Sequence, residues 1–274
     1  MIKIINNINS LVSNWEKILL ANRNTNTLKT NLIFINEEFC NMQKESHLYK
    51  NRGTKLEWIL MDYDTFYKAF FIGHEIIPSP PRVTKPLVVN YITNCSELTK
   101  NSVLDSLRDL GFSDYAVNFR MTKNIKKTNE HFSDEMNTKY LIRNSKKEDL
   151  LQLKVLWSLL DPYGFDQTKG DLISAISNGE FLVAETNEDI KKIVASLWIH
   201  KTGSTYQLDH IVTDREYRRN KLAYKLINRA FSLIGHGRVN LWINRENSAA
   251  LNLYNGFGFK QSRTASFQMI KNHI

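Results

Sequence analysis

The chain has 274 residues, 42% hydrophobic and 24% charged, a composition that calls for a packed globular core and leaves room for one large domain or two small ones. Of its 37 Lys and Arg, 17 fall in residues 1–137 and 20 in 138–274; of its 28 Asp and Glu, 15 and 13, so the second half carries most of the net +9. There is no Lys/Arg block and no basic stripe interleaved with aromatics, which argues against nucleic acid as a partner, and no apolar run approaches the ~18 residues that span a bilayer.

The opening Met1-Ile2-Lys3-Ile4-Ile5-Asn6-Asn7 lacks the apolar stretch and small-residue cleavage site of a secretion signal, so a cytoplasmic location is expected. Cys40 and Cys95 are too few and too scattered for a disulfide framework or a metal site, and read as idle thiols. Ile8, Leu11, Val12, Trp15, Ile18 and Leu19 recur at helical spacing over 7–21. A polar run, 22–30, then precedes a short strand expected at 31–35. Residues 55–61 read as a strand and 63–72 as helix-like, and 76–86, with four prolines, reads as a loop. Residues 87–92 form a strand, and Ser96 is a candidate cap for a helix over 97–110 that Gly111 ends.

Leu110-Gly111-Phe112 followed by Phe119-Arg120-Met121-Thr122-Lys123-Asn124 is echoed by Phe257-Gly258-Phe259 followed by Phe267-Gln268-Met269-Ile270-Lys271-Asn272. One residue of spacing differs between the copies. Each is preceded by a short apolar helix and, before that, by a strand, which implies two similarly folded halves. The polar stretch 122–139 separates them, giving domains 1–137 and 138–274. The second half reads as strand 139–142, helix 148–160, a loop at 161–165, and helix 171–177 with Asp166 or Thr168 as cap and Asn178-Gly179 as stop. Antiparallel strands 181–185 and 193–200 follow. Trp157, Trp198 and Trp242 read as core.

The most informative stretch is 206–259. A strand, Tyr206 to Thr213, meets the basic turn Asp214-Arg215-Glu216-Tyr217-Arg218-Arg219-Asn220-Lys221, and a helix starts near Leu222. A helix start offers unpaired N–H groups and the positive end of its dipole, suited to a phosphate-rich ligand. A second strand, 238–243, precedes Asn247-x-x-Ala250-x-x-Leu253-Tyr254 and then Gly258-Phe259.

Taken together over 140–274, these features resemble the GNAT superfamily of acyl-CoA-dependent N-acyltransferases. Arg218 matches the first position of the family's Arg/Gln-x-x-Gly-x-Gly/Ala loop, Leu222 its apolar fifth and Ala223 its last, whereas Lys221 stands where the family has its first glycine. The resemblance implies an α/β (α+β) chain of two GNAT-like domains. Each is a mixed, mostly antiparallel twisted sheet flanked by helices, and splayed strands 208–213 and 239–243 form an acyl-CoA cleft in the C-terminal one. It implies acetyl-CoA as co-substrate, with Ile211, Val212 and Thr213 pairing the pantetheine arm. Arg218, Arg219, Asn220, Lys221, Leu222 and Ala223 would cradle the pyrophosphate, Lys221 offering its N–H from a helical conformation. Asn247 and Ala250 would border the arm.

Tyr254 is then the proton donor to the leaving thiol, a phenol of pKa about 10 facing a thiol of about 8.5. A base must also deprotonate the amine. Asp209 and His210 are the candidates, and as strand neighbours they are expected to point to opposite faces. Tyr163 and Phe165 border the acceptor. Leu107 aligns with Tyr254, and 1–137 has no counterpart of the Arg218–Ala223 turn, so that half reads as a degenerate copy and an internal pseudo-partner of a monomer. The expected activity is acetyl transfer to a primary amine of a small molecule. The tandem layout resembles acetyltransferases that inactivate amine-bearing antibiotics, such as self-resistance enzymes of zwittermicin or paenilamicin producers. Protein lysine or N-terminal acetylation and a CoA-binding interaction or sensor module are the alternatives.

Overall fold

The computed structural model describes residues 2–4, 28–31, 48–51, 57–74, 76–95, 101–126, 139–164 and 169–272. The helix expected over 7–21, residues 32–35, Cys40, Ser96, Phe165, Asp166 and Thr168 lie outside them, as does the stretch 127–138 that holds the expected domain junction. Two compact units emerge, one of residues 1–118 with 263–274, the other of residues 119–262.

The first unit contains β1 (Ile2–Ile4), β2 (Leu28–Thr30), β3 (Leu48–Asn51), β4 (Glu57–Asp62), β5 (Tyr67–His74), β6 (Leu87–Asn94) and α1 (Ser102–Asp109). Its strands run β1-β3-β4-β5-β6, antiparallel except for β5 and β6. The helix-like reading of 63–72 is corrected: that stretch supplies most of β5. Residues 69–73 are all buried, so both faces of the strand are covered and the period-two alternation that marks a half-exposed strand is erased.

β5 and β6 pair in parallel only at Tyr67↔Leu87 and Lys68↔Val88, although both strands run on. Along the edge of β5 beyond that point lies β2, antiparallel, with Leu28 opposite His74 and Thr30 opposite Ile72. The buried Asn31 then bridges the two strands. Its Nδ2 donates to Ala69 O on β5 at 3.0 Å and to Asn90 O on β6 at 3.3 Å, and its Oδ1 accepts from the Phe71 N–H at 2.8 Å. Three backbone groups that the divergence of β5 and β6 would leave without partners are thereby satisfied.

The second unit contains β8 (Tyr140–Asn144), α2 (Leu150–Trp157), α3 (Lys169–Ser177), β9 (Phe181–Thr186), β10 (Ile193–Thr202), β11 (Thr205–Thr213), α4 (Leu222–Ile234), β12 (Gly237–Asn244) and α5 (Ser248–Gly256). The strand order is β8-β9-β10-β11-β12, with only β11 and β12 parallel. Leu222, Leu226, Ile227, Ala230 and Phe231 of α4 cover one face with Leu208, Leu241 and Tyr254. Leu153, Leu156 and Trp157 of α2, with Leu172 and Ile176 of α3, cover the other around Phe181, Val183 and Trp198. The start of α2 is clamped by charge. Arg143 donates to both oxygens of Asp149, at 2.6 and 3.0 Å, and also binds Glu185, while Asp149 accepts the Lys146 N–H at 2.7 Å.

β7 (Ser113–Ile125) and β13 (Lys260–Lys271) cross the division. Residues 119–125 belong to the second unit, beside β12 and with Met121 in its core. Residues 263–271 belong to the first, antiparallel to β6 from Thr264↔Asn94 to Lys271↔Leu87. The repeated segments have thus changed places. Lys271 donates to Leu110 O at 2.6 Å beside Gly111, and Lys123 Nζ lies 3.4 Å from where a Cβ on Gly258 would sit.

Candidate active site

β11 and β12 are paired from Thr205↔Arg238 to Leu208↔Leu241 and no further, though β11 runs to Thr213 and β12 to Asn244. On its other side β11 stays bonded to β10 up to Ala195↔Thr213. The backbone of 209–213 therefore keeps one edge open toward β12, able to pair with an extended amide-bearing ligand. Ile211, Val212 and Thr213 all lie on that edge.

At the point of divergence the β10–β11 register slips. Trp198 faces His210 and Ile199 faces Leu208, leaving Asp209 as the extra residue of a bulge. The expected opposition of Asp209 and His210 does not survive this slip. Asp209 Oδ2 lies 2.6 Å from His200 Nε2, and the Trp198 ring is 5.5 Å from the His200 ring and 6.1 Å from the His210 ring. All four side chains form one connected cluster on the face away from α4. His200 was not singled out from the sequence. The signal was there: in the hairpin closed by Gly203-Ser204, a histidine at 200 falls opposite Gln207, two residues from Asp209.

The turn after β11 is built by its own side chains. Asp214 Oδ1 accepts the Glu216 N–H at 3.2 Å, and Lys192 Nζ holds Asp214 Oδ2 at 2.9 Å while lying 5.0 Å over the Tyr217 ring. The lysine's hydrogen bond holds the Asp214 carboxyl below its ordinary range. Asn220 Nδ2 donates to Tyr217 O at 3.0 Å, so that side chain shapes the loop. Arg218 and Arg219 are exposed.

Lys221 is not helical. It sits at φ 57°, ψ 21°, and Arg219 at φ 67°, the left-handed region that costs a side-chain-bearing residue roughly 1–2 kcal/mol. The first α4 hydrogen bond is Lys225 N to Lys221 O at 3.0 Å, and the Lys221 side chain makes no capping bond. The N–H groups of Leu222, Ala223 and Tyr224 are left for an anion, which fits a pyrophosphate.

Asn247 caps α5, its Oδ1 accepting the Ala250 N–H at 3.1 Å, so only its amide nitrogen is left to donate to a ligand. Tyr254 is 4% exposed, edge-on to Phe259 with ring centroids 5.5 Å apart. Burial pushes its phenol well above the ordinary value, so it stays protonated throughout the physiological range. Tyr163 is half-buried in the turn after α2, its N–H bonded to Asp161 Oδ1 at 3.0 Å. Among the described residues no cluster of His, Cys, Asp and Glu could hold a metal ion, and no helix is long and apolar enough to cross a membrane.

Residues 177–261 match the family model described as an acetyltransferase (GNAT) domain, a stretch that runs from the end of α3 into β13. No curated protein matches the sequence. Among solved structures, a tandem GNAT protein from the clavulanic acid biosynthesis pathway aligns over 100% of this chain and 99% of its own, with TM-score 0.59 and 11% identity. A GCN5-related N-acetyltransferase from Sphaerobacter thermophilus covers 79% of this chain and 76% of its own, with TM-score 0.54 and 12% identity. Another from Kribbella flavida covers 88% and 96%, with TM-score 0.50 and 11% identity. At such identities the likeness is one of fold, and the stretch that matches the family model falls within the second unit.

Proposed function

We propose that the second unit moves an acetyl group from acetyl-CoA to the primary amine of a small molecule, by direct attack within a ternary complex. The observation that carries this reading is the divergence of β11 and β12 after Leu208↔Leu241, next to a helix whose first N–H groups are uncapped. The open edge at Ile211, Val212 and Thr213 takes the pantetheine amides. The turn from Arg218 to Ala223 takes the pyrophosphate through the N–H groups of α4 and the charges of Arg218 and Arg219. A thioester at the bulge meets backbone N–H groups able to stabilise its oxyanion.

Tyr254 returns a proton to the departing thiolate. Burial, which raises the phenol, keeps the proton on Tyr254 until a thiolate forms beside it. The first unit takes no acetyl-CoA, and the chain works as a monomer. For the acceptor we favour an amine-bearing antibiotic, inactivated by acetylation. The support is architectural, a two-unit chain with one open cleft and an end-to-end fold match to a tandem GNAT protein.

Thiol release from acetyl-CoA, followed against aminoglycosides, cationic peptide antibiotics, polyamines and lysine peptides, tests this directly. Turnover is expected on a small amine, and Tyr254→Phe should lose about a hundredfold or more in kcat while binding acetyl-CoA as before. Preference for the lysine peptides would redirect the reading to protein acetylation. Acetyl-CoA binding that survives a swap of residues 217–223 would remove its basis.

A further inference from the structure

Acceptor amines are ammonium ions at neutral pH, with pKa values of about 10, and must shed a proton before their lone pair can attack. The sequence offers Asp209 and His210 for this task, but the bulge creates a different unit. His200, on β10, is bonded through Nε2 to Asp209 Oδ2 at 2.6 Å, at the point where β11 leaves β12. The side chains of His200 and Asp209 are 26% and 25% exposed, so both are within reach of a ligand.

We propose that His200 is the general base of the acetyl transfer and that Asp209 is its positioning residue. This rests on the acetyltransferase reading above. A carboxylate acceptor fixes the proton of the neutral ring on Nε2 and leaves the lone pair on Nδ1, whose neighbour is the Thr202 hydroxyl at 3.4 Å. The substrate R–NH3+ gives a proton to Nδ1. The freed nitrogen lone pair forms the C–N bond to the acetyl carbonyl carbon; as the C–S bond breaks, the thiolate takes the Tyr254 proton, and the second proton lost by the nitrogen restores the phenol through solvent. The imidazolium that results faces the Asp209 carboxylate, which offsets its charge and then lets the proton pass to solvent. Two further titratable groups border the pair. His210 also packs near the Trp198 ring, at 6.1 Å between centroids, and Glu180 accepts from Trp198 Nε1 at 3.1 Å. His210 thus shapes the wall of the site beside Trp198.

His200→Gln, which can still donate to Asp209 but cannot take up a proton, separates this role from a structural one. Two acceptors are compared, the best alkylamine of the panel and a hydrazide of the same length, which is neutral at pH 7. The variant is expected to lose at least about a hundredfold in kcat on the alkylamine and less than tenfold on the hydrazide, with an unchanged KM for acetyl-CoA. Its alkylamine rate should climb with pH toward the amine pKa, whereas the wild-type rate levels off at a lower pH. Asp209→Asn should show the same split in milder form, which keeps the test open if one variant folds poorly. Equal losses on both acceptors, or none on the alkylamine, would overturn the assignment while leaving the acetyltransferase reading intact. A wild-type protein that acetylates no amine would overturn both.

Discussion

The two units pose the same problem at the same place and solve it differently. In each, two parallel strands are paired at their beginnings and then part, β5 from β6 and β11 from β12. Each frame is completed by an asparagine-capped helix, Asn101 before α1 and Asn247 before α5. A glycine with positive φ follows, Gly111 at 85° and Gly258 at 79°, and the next N–H turns back onto the helix, Phe112 to Leu107 O and Phe259 to Tyr254 O, both at 3.0 Å. The gap is where they differ. In the first unit it is filled by β2 and the Asn31 amide; in the second, the edge from Asp209 to Thr213 stays open. Parting two strands frees backbone groups that must bond to something. A chain that supplies its own partner closes the gap, and one that withholds it leaves those groups for a ligand to meet. The aligned helix residues, Leu107 in the first unit and Tyr254 in the second, are both buried and differ in chemistry rather than exposure.

The bluntest way to break this contrast is to count ligands. Calorimetry with acetyl-CoA should give one site per chain, and two would show that the first gap admits the ligand despite β2. Next in size is the clamp at β8. Asp149 is pulled two ways, since burial alone would raise its carboxyl, but hydrogen bonds from Arg143 and the Lys146 N–H hold it below the usual range. A depressed carboxylate stabilises the fold fully above its unfolded value of about 4, and that contribution fades as pH falls through the folded value. The first unit's gap is held by a neutral amide. Acid should therefore loosen the second unit first, seen as early loss of amide protection in β8 and β9. Arg143→Met, which strands two carboxylates, should cost about 3 kcal/mol in a denaturant melt.

Asn31→Ala sharpens the comparison from the other side. It leaves three buried backbone groups without partners and should cost about 2 kcal/mol, with the acetyl-CoA count still at one. Lys221→Gly should stabilise by about 1 kcal/mol, because glycine takes the left-handed conformation without strain, and acetyl-CoA affinity should hold within twofold. A destabilised Lys221→Gly would mean that the lysine is held by contacts beyond its backbone. Smallest is Lys192→Met. Asp214 and Lys192 are partly exposed, so the change should cost under about 1 kcal/mol, with a modest rise in the KM for acetyl-CoA as the turn slackens.

The sequence made the second unit legible because its signals are local. Short runs bounded by polar turns marked β9 to β12, the Arg218–Ala223 turn fell between β11 and α4, and Tyr254 fell on α5. What escaped was set by pairing. Residues 67–72 hid as helix because a strand buried on both faces carries no period of two. The bulge that gathers Asp209, His200 and His210 is a slip of register between two strands, invisible in either alone. Lys221 read as helical because a left-handed φ outside glycine leaves no mark in composition. β2 sat inside a polar run, since its role comes from lying against β5 rather than from its own hydrophobicity.

The repeated segments around Met121 and Met269 sit in each other's units, and that bears on why a copy with no open cleft persists. Residues 119–125 put Met121 into the core of the second unit and lie beside β12. A gene trimmed to begin at the polar junction would encode every residue proposed here for chemistry and still lack that strand, leaving β12 with a bare edge prone to seize a strand from elsewhere. Each repeat is tied to the other by a loan of backbone, and neither copy could be discarded without returning what it had borrowed.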